Sequence, residues 1–261
     1  MYDKILDEQI EWFERNLDKV LTAFQKRIET LIGDLQTTNG ILIYSDINVQ
    51  QAYQSYAALQ QMLQESGFNE LVQAAQEKEN DILKYMREHR PDGAVPLAFT
   101  MQTAEKLQGM SAIYATQFQS VAAQEMRNIQ QIIVKSVIAG IDSEDAIQQI
   151  RDVLENNLKR YATTYFNTSR GEFIQAVEYA TKDEYKGELF WEYQGPIDDL
   201  TRPACRIGMG IDPDGRYPNA PFFTDEERIQ FEAETAGERE YNCRHDFIQI
   251  EPEYYWENVG K

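Results

Sequence analysis

Leu17, Leu21, Phe24, Ile28, Leu31 and Leu35 recur at alternating steps of four and three. An apolar stripe of that period must be covered by another helix, so it constrains the fold more than anything else in the chain. At about three heptads it is too short to decide between a coiled-coil contact with a second copy and an internal bundle face, of which the latter is the favoured reading. Residues 1–185 continue in the same manner, reading almost throughout as helix. Thr37-Thr-Asn-Gly40 ends the first helix with weak helix formers and a glycine. Ile41-Leu-Ile-Tyr44 reads as a short strand or an extended linker. A second helix is expected from about Asp46 to Glu65, stopped by Gly67, and a third from Asn69 to a point before Pro91. A long helix over roughly 100–139 stops at Gly140. Ser143 then caps the next, with Glu144 and Asp145 in its first turn, and a last helix lies near 160–185.

From Gly187 the pattern changes. Leu189-Phe-Trp-Glu-Tyr193 reads as an aromatic-rich strand, and Ile211-Asp-Pro-Asp-Gly-Arg-Tyr-Pro is turn chemistry. Thr224-Asp-Glu-Glu227 is a capping box opening a short helix to about Ala236. Phe247-Ile-Gln-Ile250 is expected to pair with the 189–193 strand. The expected fold is mainly α: an elongated helical N-terminal bundle followed by a small α+β C-terminal module. The expected divisions are a partner-binding helical region over 1–140 and a domain over 141–261. That domain consists of a helical lead-in, 141–186, and the α+β module, 187–261.

The formal net charge is −19, from 44 acidic and 25 basic residues. Such a chain repels phosphate backbones and anionic membrane surfaces, because both depend on lysine and arginine. Other proteins are the expected partners. The first residues read as a charged amphipathic helix and not as a leader, and no apolar run reaches the roughly 18 residues of a membrane span. A soluble, cytoplasmic chain is therefore expected.

The chemistry-bearing residues converge at the two ends of the C-terminal module. Asp198-Asp-Leu-Thr-Arg202-Pro-Ala-Cys205 stands at one end and Tyr241-Asn242-Cys243-Arg244-His245 at the other. Cys205, Cys243 and His245, completed by a carboxylate from Asp198 or Asp199, form a candidate structural zinc set, since thiolate and imidazole are preferred zinc ligands. A Cys205–Cys243 disulfide and two buried thiols acting as small apolar residues are the competing readings, and the buried thiols are favoured. Arg202 and Arg244 suit either an internal network with Asp198, Asp199 and Asp246 or an acidic partner surface. Asn242 beside the Cys/His pair superficially suits a thiol hydrolase. The acidic surroundings oppose a lowered thiol pKa, however, and no catalytic residue is assigned. His89, in Met-Arg-Glu-His-Arg-Pro, fits a helix C-terminus. Tyr254, Tyr255 and Trp256 form either a core flap or an anchor for a neighbouring protein.

The Asp-x-x-Thr-Arg-x-x-Cys run followed by Asn-Cys-Arg-His resembles the C-terminal domain of phage minor head proteins of the Mu F-like head morphogenesis family. Gly140-Ile-Asp-Ser-Glu-Asp-Ala-Ile-Gln-Gln-Ile-Arg-Asp-Val-Leu and Arg160-Tyr-Ala-Thr-Thr-Tyr-Phe-Asn-Thr-Ser-Arg170, with Phe173 and Ala176, are similar to the family's lead-in. Two departures stand out. The family's Ala-Arg-Thr-Glu-like segment is replaced by Phe166-Asn-Thr-Ser-Arg170-Gly-Glu172, and its closing Cys-Arg-Cys by Cys243-Arg-His245. The latter exchange would preserve a metal ligand. The resemblance implies a non-enzymatic virion component, a minor capsid protein acting in head morphogenesis. It would bind portal or major capsid protein, self-associate in the virion, and occupy the host cytoplasm during assembly. A head-to-tail connector or portal adaptor is the nearest alternative, and a zinc or thiol enzyme delivered with phage DNA a more distant one.

Overall fold

The computed structural model describes residues 2–97, 100–185, 187–195, 197, 201–212, 215–239 and 245–259. The chain is mainly helical, with long N-terminal helices followed by a small antiparallel three-stranded sheet and further helices. It forms two compact units, each discontinuous in sequence. One comprises Ile10–Gln76 and Ile113–Phe166. The other comprises Met1–Gln9, Glu77–Ala112 and Asn167–Lys261.

The first unit is a helical bundle. Its parts come from α1 (Asp3–Gly33), α2 (Asp46–Glu65), α3 (Phe68–Glu77), α5 (Met101–Ala139), α6 (Ser143–Val153) and α7 (Arg160–Glu184). Leu17, Leu21, Phe24, Ile28 and Leu35 are all buried in its core, so the seam is an internal face. Leu31 is only partly buried and Ile32 takes its place. A straight helix turns by 3.6 residues and not 3.5, and the stripe drifts accordingly. Phe13 stacks on Phe166 with ring centroids 4.2 Å apart.

α1 ends at Gly33, ahead of Thr37-Thr-Asn-Gly40, which forms a hairpin instead of the expected helix end. β1 (Thr37–Thr38) and β2 (Ile41–Leu42) pair antiparallel around Asn39 and Gly40, whose φ values are 53° and 82°. Two consecutive positive φ angles make the Asn-Gly turn that matches strand twist. Asn48, fully buried, donates to the Gln36 and Ile43 carbonyls and accepts from the Gln36 amide, closing the hairpin base.

Two further boundaries differ from expectation. Asp142, not Ser143, is the N-cap of α6, its carboxylate accepting from the Glu144 amide at 2.9 Å. α6 also runs into α7 through a π-helical stretch, Leu154–Lys159, with no intervening loop. Ile150, Leu154, Leu158, Ala162 and Phe166 are buried at strict steps of four. An α-helix would rotate such a series by about 40° per step, and a wider π turn keeps it facing the core.

In the second unit, α4 (Glu79–Glu88) is separate from α3. The expected single helix is interrupted at Lys78, whose carbonyl accepts from the Gln9 side chain at 2.8 Å. The sheet has the order β4-β3-β5, from β3 (Phe190–Gln194), β4 (Phe222–Thr224) and β5 (Asp246–Ile250), all antiparallel. The 247–250 segment thus pairs with the 189–193 segment as expected, with Phe190 opposite Ile250. Residues 93–95 flank β5: Val95 donates to the Gln249 carbonyl and Glu251 to that of Gly93. Gly93 has φ +76°, and the Tyr254 ring fills the space a Cβ would occupy. α8 (Pro203–Gly208), α9 (Asp225–Arg239) and α10 (Pro252–Asn258) complete the module.

Candidate functional site

Strand alternation sends Trp191 and Tyr193 of β3 into one aromatic core with Phe223, Phe231, Tyr217 and Phe247. Phe190 joins Ile250 and Tyr255 in another. α8 opens with Pro203 at its first turn and Arg202 in extended conformation as its N-cap, which directs Cys205 inward. Cys205 is 1% exposed, and its sulfur accepts from the Tyr193 hydroxyl at 3.5 Å. His245, immediately before β5, is also buried, and its ring lies parallel to Tyr193 at 5.8 Å. Gly195 makes that approach possible, since a Cβ there would lie 2.3 Å from the imidazole. One tyrosine therefore touches residues from both ends of the module.

Of the remaining expected site residues, Asp198, Asn242, Cys243 and Arg244 lie outside the described residues. So do the zinc set as a whole and the Cys205–Cys243 pairing. Among the described residues no group of three or more His, Cys, Asp or Glu is arranged to hold a metal ion. Asp246 accepts from Gln175 at 2.6 Å. The aromatic tail divides in two. Tyr255 stacks on Phe190 at 4.0 Å and is buried, whereas Trp256 is 63% exposed. Tyr254 lies between these extremes, against Gly93. His89 is the C-cap of α4, stacked on Tyr85 at 4.0 Å.

Sequence reasoning missed the ionic groups of this unit. Asp225 accepts from Trp191 Nε1 at 3.0 Å, from Lys182 at 2.8 Å and from Arg228 Nε at 3.2 Å. Arg228 also pairs with Glu232, donates to the Tyr179 hydroxyl, and lies 4.8 Å from the Trp191 ring centroid. Burial alone would raise the Asp225 carboxyl, but Lys182 and Arg228 together hold it below its ordinary value. The legible signal was Asp225-x-x-Arg228-x-x-x-Glu232, which puts three charges on one helical face.

Two more pairs are buried. Arg90 binds Glu178 and the Tyr2 hydroxyl while donating twice to the Val95 carbonyl. Burial pushes Glu178 up, and Arg90 opposes that rise without cancelling it. Arg170 pairs with Glu79 at 2.9 Å, and burial raises Glu79 against the pull of that arginine. Arg170, which stands in the segment compared with the family lead-in, is thus a buried structural cation.

No protein-family model, no curated protein and no solved structure matches the chain.

Proposed function

We propose that the chain is a virion structural protein of phage head morphogenesis, a minor capsid component without catalytic activity. It binds portal or major capsid subunits, self-associates in the particle, and is made in the host cytoplasm. The observation that carries this reading is the meeting of the two motif ends at Tyr193, with Cys205 hydrogen bonded to its hydroxyl and His245 stacked on its ring. A thiol buried among aromatic rings is a poor nucleophile, and its use in packing fits a building block. Exposed Trp256, seated on Phe190 and Tyr255, offers the kind of anchor that protein interfaces favour. The acidity of the chain fits a component that must not be immobilised on packaged DNA.

The test is mass spectrometry and imaging of purified particles produced by cells that encode the chain. The chain should co-purify with mature heads in few copies and lie at the portal or inner capsid surface. Its absence from heads and from their assembly intermediates would overturn the reading, and so would tight binding of the purified chain to duplex DNA at physiological salt.

A further inference from the structure

The β1–β2 hairpin, the first turn of α2 and the turn joining α5 to α6 meet within the helical unit and form one end surface of it. Backbone bonds tie these pieces together. Leu42 donates to the Ile141 carbonyl at 3.0 Å and Ser143 to that of Gly40 at 2.9 Å, and Ile41 bridges Asp142. Ile41 Cγ2 lies 3.8 Å from the place a Cβ would take on Gly140. Asn48 holds the base of the hairpin to the start of α2. A surface fixed in this way loses little freedom when a partner settles on it.

Large apolar side chains are exposed there. Ile41 stands on β2, Tyr44 immediately before the Ser45 N-cap, Ile47 in the first turn of α2 and Ile138 in the last turn of α5. An apolar residue placed as Tyr44 is commonly folds back onto its own helix, but Tyr44 is 69% exposed. One exposed apolar residue needs no explanation, whereas several on adjoining segments mark a surface that another protein covers.

The charges choose that protein. Asp34, Asp46, Asp142, Glu144 and Asp145 stand in the stretches 33–49 and 135–145, against Lys135 as the only base. Asp142 caps α6, and the other carboxylates are exposed. A second copy docking on this end would bring the same acidic rim and be repelled, and a nucleic acid or an anionic membrane would fare no better. A segment that sets apolar side chains among cations answers both the patch and its rim.

We propose that the hairpin end of the helical unit docks a segment of a partner protein rich in lysine or arginine, whose apolar side chains cover Ile41, Tyr44, Ile47 and Ile138. The inference does not depend on that partner being a capsid component, so it neither stands nor falls with the assembly reading. Fluorescence anisotropy of the full chain with short labelled peptides tests it, the peptides being built from leucine and lysine, serine and lysine, or leucine and glutamate. The leucine–lysine peptide should bind, and more weakly as salt is raised. The serine–lysine peptide should bind about tenfold or more weakly, the loss expected when interface anchors are removed, and the leucine–glutamate peptide not at all. Tyr44→Ser combined with Ile47→Ser should weaken the leucine–lysine peptide by a similar factor with the helical circular dichroism unchanged. Tyr53→Ser, at an exposed position further along α2, should bind like the parent. Hydrogen exchange should slow on binding in 37–47 and 135–145. The proposal is overturned if the serine–lysine peptide matches the leucine–lysine peptide, if the double variant binds like the parent, or if the protection falls elsewhere. It is equally overturned if the parent is a dimer in sedimentation that Tyr44→Ser converts to monomer, since the occupant would then be a second copy.

Discussion

The two compact units both bury apolar cores but differ in how much charge they bury with them. In the helical unit the buried side chains are almost all aliphatic or aromatic, and among the described residues Glu125 is its one buried ionisable group. The sheet-containing unit buries Glu79, Arg170, Glu178, Arg228, His245 and Asp246. Apolar burial is non-directional and tolerates approximate geometry. A buried ion is costly unless its partner is placed within hydrogen-bond reach. The helical unit is therefore specified by a repeating pattern, and the other by particular pairs drawn from distant stretches of chain.

The largest expected effect comes from breaking one of those pairs. Arg90→Met should cost about 4 kcal/mol, because it leaves the fully buried Glu178 without its cation. Adding Glu178→Leu should recover most of that loss, since an apolar pair replaces an ionic one. Denaturant unfolding of both variants measures this, and a single-variant cost below about 1 kcal/mol would erase the contrast between the units. Leu59→Ala, at a fully buried core position of the helical unit, should cost about 3 kcal/mol by leaving a cavity. Hydrogen exchange should place its loosening in Ile10–Gln76 and Ile113–Phe166, and loosening centred on the sheet would contradict the division.

Asp225→Asn sharpens the comparison at a partly exposed site and should cost about 2 kcal/mol at neutral pH, through loss of Lys182 and Arg228 as ionic partners. The pH dependence follows from the depressed carboxyl of Asp225. Its contribution is present above the ordinary value of 3.8 and is lost as pH falls through the lower value of the folded state. The gap between parent and variant should close below pH 3.8, and a gap that persists in acid would assign the effect to packing.

Much of the architecture was legible because it rests on period. The seam that begins at Leu17, the long α5 and the capping box at Thr224 each follow from local spacing, and composition marked the β3 and β5 segments as strands. The capping box forms in both directions, with Glu227 accepting from the Thr224 amide and Thr224 Oγ1 from the Glu227 amide. The π-helical join between α6 and α7 was hidden in plain steps of four, which a 3.6-residue helix alone would not keep buried. Cys205 and His245 were recognisable as residues that matter, but not their shared contact, Tyr193, which read only as one more aromatic of a strand.

The sequence by itself determined the helical class, the existence of the apolar seam and the change to an aromatic strand module after Gly187, because hydrophobic period and turn chemistry are local; that the seam is an internal face was decided by the packing. Only the tertiary structure decided which charges are buried together. Arg90 meets Glu178 and Arg170 meets Glu79 across long stretches of chain, and no local pattern encodes a partner that far away. Those pairings depend on the near-complete exclusion of water around them, a condition that exists only once the surrounding helices have packed.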